Sequence, residues 1–354
     1  MKLKGIAKGL CLCLLVTFIF ALPQPVRAGF LVTNPEVFTL TGETTCRFSK
    51  DTEDSRLEVP LLLNRLDEGF APYLAVNSLA ITPEPTKIIA DARGNLRAVY
   101  LNYHNRGTLS VRQIALVETR QVEFIPNKPY VSDGSFAKYL EPSELVESNN
   151  PIIQKKAAQV TMGITDPYEK AQAVYAFVQN HMTFDEAEKY SHKGALSALL
   201  TGRGRCDDHT ALMVALLRAS GIPAREMGGY AVDFSSQSEA FGVNLADSAR
   251  HGWVEFYLKG EGWIPAEPTT SRNKGDNYPK WSHFGALNSN WEYIPDSIGK
   301  TLLTSYTYIG SAPKIEELVT IKEGYQELDN SWYLVMSNTG SPSCLCPATF
   351  CGTD

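Results

Sequence analysis

The sequence has no run of basic residues and no stretch where aromatic and basic side chains interleave, so it lacks the electrostatic footprint of a nucleic-acid binder. It has no D-x-D-x-D-G loop, and nothing in it supports dependence on calcium. It also lacks a second long apolar run. The one it has, Gly9 to Leu22, falls short of the roughly 20 residues that a spanning helix needs. Cys206-x2-His209 has metal-like spacing, but no second such pair lies nearby, which argues against zinc. With 44% hydrophobic and 20% charged residues, the chain does not have the composition of a disordered, collagenous or coiled-coil protein. Its 354 residues suffice for two ordinary domains or one large one.

What is present begins with a leader. Lys2, Lys4 and Lys8 precede the apolar run, and Val26-Arg27-Ala28 places small residues at −3 and −1. This is the pattern of an export signal cleaved after Ala28, and it predicts a secreted or cell-surface protein with no membrane span after cleavage. Removing residues 1–28, which carry four positive charges and no negative ones, takes the formal charge from −6 to −10. Five cysteines then remain: Cys46, Cys206, Cys344, Cys346 and Cys351. Export permits disulfides, and the odd count leaves at least one thiol unpaired. Cys206 stands apart from the terminal cluster. Cys46 and the three tail cysteines are expected to be bridged, in one of three pairings that sequence does not separate, with a metal site in the tail or free thiols as the alternatives.

Three changes of pattern divide the remainder. From Phe30 to about Pro126 the chain reads as strands: Leu96 to Tyr103 and Leu109 to Leu116 are rich in β-branched and aromatic residues, with a turn at Asp91 to Asn95. Several short strands in that length predict a β-sandwich-like domain over 29–135. Asp166-Pro167-x-Glu169 then supplies a helix cap, a first-turn proline and an acid, and Tyr168, Ala171, Tyr175, Val178 and Met182 recur on one face. A second helix starts at Cys206. Its body, Thr210 to Ser220, is apolar nearly all round and should be buried, and Gly221-Ile-Pro223 ends it. Strand-like runs follow at Glu226 to Asp233, His251 to Leu258 and Gly262 to Ala266. A buried helix followed by adjacent strands is an α+β core, assigned to 136–310, with a cysteine-rich extension over 311–354.

The chemistry-bearing residues sit within that core. A cysteine at a helix start faces unpaired backbone N–H groups and the positive end of the dipole, both of which favour thiolate, and Gly204 lets the chain turn before it. Taken alone, such a cysteine is more often a small buried residue. His251 opens a strand, and Glu267 follows sixteen residues later, after strand, tight turn and strand. A hairpin of that length can set the carboxylate beside the imidazole, the arrangement that a thiol nucleophile with a histidine base requires. The backbone N–H of Cys206 is a candidate oxyanion donor. Asp207 and Asp208 suit the helix N-terminus better than catalysis. Tyr230, Trp253 and Trp263 could line a substrate groove or pack the sheet.

Gly-Arg-Gly-Arg-Cys206-Asp-Asp-His-Thr-Ala-Leu-x5-Arg218-Ala-x-Gly-Ile-Pro-Ala-Arg225 resembles the nucleophile segment of the transglutaminase-like superfamily. His251-x-Trp-Val-Glu-x-Tyr and Gly-Trp-Ile-Pro-x-Glu267-Pro-Thr are similar to its histidine and acid segments, in the same order. The likeness covers about residues 130 to 270, and the strand-rich region before it is similar to the N-terminal modules of secreted bacterial members. It implies a papain-like domain whose nucleophile helix packs on an antiparallel sheet, a Cys206–His251–Glu267 triad and no cofactor. Glu267 stands where the family usually carries aspartate, one methylene shorter. The expected activity is acyl transfer through a thioester on a peptide or protein, a cell-wall peptide among them, with hydrolysis favoured. Glutamine–lysine cross-linking and a catalytically silent adhesion module are the alternatives.

Overall fold

Alternating apolar residues at both ends of the chain make strands that pair across almost its whole length. The computed structural model describes residues 29–336 except 49–51, 66–71, 92, 102–106, 128, 132–133, 135, 188, 233–242, 245–249, 270–282, 288–291, 300–304, 311–312 and 324–332. The leader (1–28) and Cys344, Cys346 and Cys351 lie outside the described residues.

The first module is built from two antiparallel sheets. In the larger, the order is β10 (Val243–Asn244), β16 (Lys314–Glu323), β1 (Phe30–Phe48), β6 (Gly107–Phe124), β3 (Leu74–Thr82) and β17 (Tyr333–Met336), with β13 (Ala286–Leu287) also on β6. Along β1 the buried residues Leu40, Gly42, Thr44, Cys46 and Phe48 alternate with more exposed ones, the period of a half-buried strand. The smaller sheet runs β15 (Ser305–Gly310), β2 (Thr52–Arg65), β5 (Asn95–Leu101), β4 (Lys87–Ala90). Gln113 of β6 joins the two sheets: its Nε2 donates to Pro60 O at 2.9 Å and its Oε1 accepts from Leu62 N at 2.9 Å. Gly42 gives Leu62 room, since a Cβ there would lie 3.1 Å from Leu62 Cδ1. The chain past residue 305 returns to this module, where β15 pairs β2, β16 pairs β1 and β17 pairs β3.

Cys46 is a free thiol, fully buried inside β1. Its expected partners, Cys344, Cys346 and Cys351, lie outside the described residues. Strand alternation points the Cys46 side chain into the sandwich core. Burial, with Glu317 nearby, pushes its pKa up to about 11.

The second module holds four helices: α1 (Pro151–Val160), α2 (Pro167–His181), α3 (Gly194–Thr201) and α4 (Cys206–Ala219). They pack with a sheet ordered β12 (Gly262–Ala266), β11 (Arg250–Leu258), β9 (Ala224–Val232), β14 (Glu292–Ile298), antiparallel throughout. Two short strands, β7 (Thr183–Phe184) and β8 (Arg203–Gly204), pair in parallel just ahead of α4. Asp166 caps α2 by accepting from Tyr168 N at 2.8 Å and Glu169 N at 3.2 Å, and its other oxygen takes Tyr130 N at 2.6 Å. On α4 every residue from Asp208 to Leu217 is buried, as its apolar composition requires. Gly221 has φ +79°, and Ile222 N bonds back to Leu217 O at 2.9 Å, a left-handed cap. No helix among the described residues is long and apolar enough to cross a membrane.

The modules share buried polar contacts. Tyr73 of the first module accepts from Trp253 Nε1 at 3.1 Å and donates to Glu255 Oε1 at 2.7 Å. The other Glu255 oxygen takes Arg225 Nε at 2.8 Å, and Arg225 lies 3.8 Å above the Trp263 ring. Asn95 exchanges two bonds with the Ile298 backbone, at 2.9 and 3.0 Å. Strands β11 and β14 are thereby anchored on the N-terminal module.

Candidate active site

The cysteine sits where the backbone is most tightly specified. Cys206 is the first residue of α4 and is half-buried. Two residues on, Asp208 is 1% exposed and its carboxylate collects four backbone donors. Oδ1 accepts from Lys193 N at 2.8 Å and Gly194 N at 3.1 Å, while Oδ2 accepts from His192 N at 3.0 Å and Arg205 N at 3.1 Å. One side chain thus bonds the amide of Arg205, the residue preceding Cys206, and clasps the 192–194 segment to it. Gly204 is required for this approach, because a Cβ there would stand 2.4 Å from Asp208 Cβ. Asp207 meets His192 Nδ1 through Oδ2. Burial, then Asp208, raises the Asp207 pKa, against the pull of His192.

His251 lies second on β11, in register with Gly229 of β9. Gly229 has no space for a side chain, since a Cβ would lie 2.2 Å from Ile294 O and 2.9 Å from the Trp253 ring. Nε2 of His251 meets Glu267 Oε2. The nitrogen left for Cys206 is then Nδ1, and the thiol acts on the ring through a side-chain hydrogen bond and its charge. Burial alone would lower the His251 pKa. Glu267 first, and then Cys206, outweigh it and hold the imidazole well above its ordinary value. Glu267 is fully buried. Burial pushes its pKa up, but His251, the Thr269 N–H and His283 bring it below the usual glutamate value.

The extra methylene of Glu267 is taken up by its own scaffold. Glu267 N donates to His283 O at 2.9 Å, Thr269 N donates to Oε1 at 2.6 Å, and Tyr175 Oη donates to Glu267 O at 3.2 Å. Gln179 in turn donates to Tyr175 Oη at 2.7 Å, so α2 braces the acid from behind. The imidazole of His251 thus meets the Glu267 carboxylate on one side, and the Cys206 thiol is near enough to act on the ring.

The other sequence candidates fall elsewhere. Tyr230, Trp253 and Trp263 are 0–1% exposed, so they pack the core rather than line an open groove. Trp253 is held by Tyr73 and stacks edge-on to Tyr293, whose ring also meets His251 at 5.9 Å between centroids. Tyr230 lies under Arg250 at 4.4 Å. These aromatics support the histidine strand from inside. His209 is buried with Nδ1 on Arg205 O at 2.8 Å, and burial, opposed by that bond and by Glu267, Asp208 and Asp207, lowers its pKa. Among the described residues no group of three or more His, Cys, Asp or Glu could hold a metal ion.

Sequence reasoning missed the bracing residues Tyr175, Gln179, Thr269 and His283, and it missed Tyr73. Tyr175 stood on the apolar face of α2, where its hydroxyl was the one available signal. For Tyr73, 180 residues from Trp253, there was none.

Comparison with known proteins agrees with this geometry. Residues 154–268 match the family model described as the transglutaminase-like superfamily core. An uncharacterized protein of Haemophilus influenzae is 26% identical over 158 residues, 41% of this chain and 42% of that one. A protein-glutamine gamma-glutamyltransferase of Pseudomonas aeruginosa is 34% identical over 70 residues, 20% of this chain and 10% of its own length. The chain thus spans less than half of either curated relative. The crystal structure of a candidate cysteine protease from Cytophaga hutchinsonii superposes with a TM-score of 0.52 at 19% identity, covering 85% of this chain and 94% of that one, a likeness of fold. Residues 154–268, which hold Cys206, His251 and Glu267, are a core domain of the transglutaminase-like superfamily.

Proposed function

We propose that this chain is an exported thiol enzyme that cleaves peptide or carboxamide bonds through a thioester on Cys206. The observation that carries the reading is the contact of the His251 imidazole with the fully buried Glu267 carboxylate, beside the half-buried Cys206 thiol. The Cys206 sulfur attacks the carbonyl carbon as the C=O π pair moves to oxygen. The backbone N–H of Cys206, in the first turn of α4, is the proposed donor to that oxyanion. Imidazolium Nδ1–H gives its proton to the leaving amine, and the C–N bond breaks. Water then attacks the thioester, His251 takes its proton, the acid is released and the thiol is restored. Glu267 keeps the ring oriented and stabilises its charged form throughout. The substrate class is a cell-wall peptide or a surface protein, in line with the leader.

Cross-linking is kept as a second reading because of the Pseudomonas aeruginosa transferase segment. The two differ only in what resolves the thioester, so a glutamine peptide with a labelled primary amine separates them: ammonia release without label excludes transfer to that amine. The triad itself is tested by iodoacetamide alkylation of Cys206 across pH. His251→Ala should slow that reaction. Unchanged alkylation in that variant would mean that thiol and imidazole do not act as a pair, and the chain would then read as a silent binding module.

A further inference from the structure

Glu261 is a buried acid at the turn of the hairpin that bears the site. It lies between β11 and β12, is 4% exposed, and its amide bonds to Leu258 O at 3.1 Å. Its position matters because the hairpin it closes carries His251 on one arm and leads into Glu267 on the other. A buried carboxylate is costly unless charge or donors meet it.

The residue that stands against this carboxylate is Gly29. A Cβ on Gly29 would lie 2.6 Å from Glu261 Oε2 and 2.8 Å from Phe124 Cε2, so no side chain fits there. Nitrogen and Cβ on one Cα are about 2.5 Å apart, which puts the Gly29 nitrogen within about 5 Å of Oε2. Ile125 N donates to Gly29 O at 2.6 Å and holds the residue in place. Independently, the sequence puts leader cleavage after Ala28, with Val26 and Ala28 at −3 and −1. The fold and the leader pattern point to the same peptide bond.

We propose that processing after Ala28 creates an ion pair between the new Gly29 α-ammonium and the Glu261 carboxylate, locking the hairpin that carries the histidine and the acid. In the step, a signal-peptidase-class protease adds water across the Ala28–Gly29 bond. The Ala28 carboxylate leaves with the leader, and the Gly29 amine takes up a proton, being charged at neutral pH with an ordinary pKa of about 7.7 to 8.0. The proposal rests on the export reading but not on the catalytic one.

The first test is the intact mass of the exported protein, which should begin at Gly29; a different start overturns the proposal. The second compares thermal melts of the Gly29-terminated protein and a form retaining Val26–Ala28, each with and without Glu261→Gln. The substitution should lower Tm by about 5 °C or more in the first and by less than half as much in the second. Equal losses in both overturn the ion pair. Should Glu261→Gln fail to fold, reductive methylation of the folded wild type decides: the Gly29 amine should react at least tenfold more slowly than after unfolding in urea. Equal rates overturn the proposal. Both outcomes read independently of any loss of Cys206 reactivity.

Discussion

Replacing Asp208 by asparagine tests the architecture beneath the nucleophile. The carboxylate accepts four backbone N–H groups, two on each oxygen, at 2.8 to 3.1 Å. Asparagine has one acceptor oxygen. In either amide orientation its NH2 faces two backbone donors, so two bonds are lost and two N–H groups are left buried opposite another donor. Hydrogen bonds to a charged group are worth about 1.5–3 kcal/mol each, so the loss is about 3–6 kcal/mol. Asp208 is 1% exposed, and solvent screening gives little discount. At roughly 2–4 °C per kcal/mol for a domain of 150–250 residues, Asp208→Asn should lower Tm by at least about 6 °C, read by tryptophan fluorescence on heating. Because Arg205 N is one of the four donors, Cys206 alkylation in the folded state should slow as well. A Tm within about 2 °C of wild type would refute the claim that this carboxylate clasps the loop.

Three further outcomes follow from the same geometry. Gly204→Ala should cost about 1–3 kcal/mol, because its Cβ would stand 2.4 Å from Asp208 Cβ, and in urea melts its effect should fail to add to that of Asp208→Asn. Glu267→Gln places an amide donor toward His251 Nε2, which drives the ring proton to Nδ1, the nitrogen facing the thiol; hydrolysis should fall about 10³–10⁴-fold, or about 4–5 kcal/mol in barrier, with kcat reduced more than KM is raised. Stability should also depend on pH in both directions. Glu267, lowered when folded, contributes above its unfolded value of about 4.3 and loses that contribution as pH falls through its folded pKa. His251, raised when folded, contributes fully below about 6.5 and loses that contribution as pH rises through its folded pKa. Thermal melts should therefore show the pair's stabilisation at its greatest between about pH 4.3 and 6.5, and His251→Gln should flatten the alkaline limb.

Elements whose cause is local could be read directly. The α2 cap depends on Asp166 and Pro167, within three residues of the bonds they make, and the structure starts the helix at Pro167. The burial of α4 follows from a body that is apolar on every side, and its end from Gly221. The hairpin between His251 and Glu267 was legible because its length and its turn lie between the two residues. Terminal strands were harder to place. That β16 pairs with β1, joining Phe38 to Glu323, depends on where the chain returns after some 280 residues, and strand composition says nothing about partner choice.

Side-chain direction accounts for the remaining differences. Cysteine count says nothing of which way Cys46 points, and strand alternation turned its thiol into the core. Tyr230, Trp253 and Trp263 were compatible with a groove or a sheet interior, and tertiary packing buried them, Trp253 against Tyr73 of the first module and Trp263 against Phe136, Tyr139 and Arg225. By itself the sequence determined that the imidazole and the carboxylate meet, because one hairpin carries both, and that Cys206 opens a buried helix. The tertiary structure alone decided how they are held. The four amides on Asp208, the α2 brace behind Glu267 and the Tyr73 contact join segments far apart in the chain, and burial makes each of those bonds count.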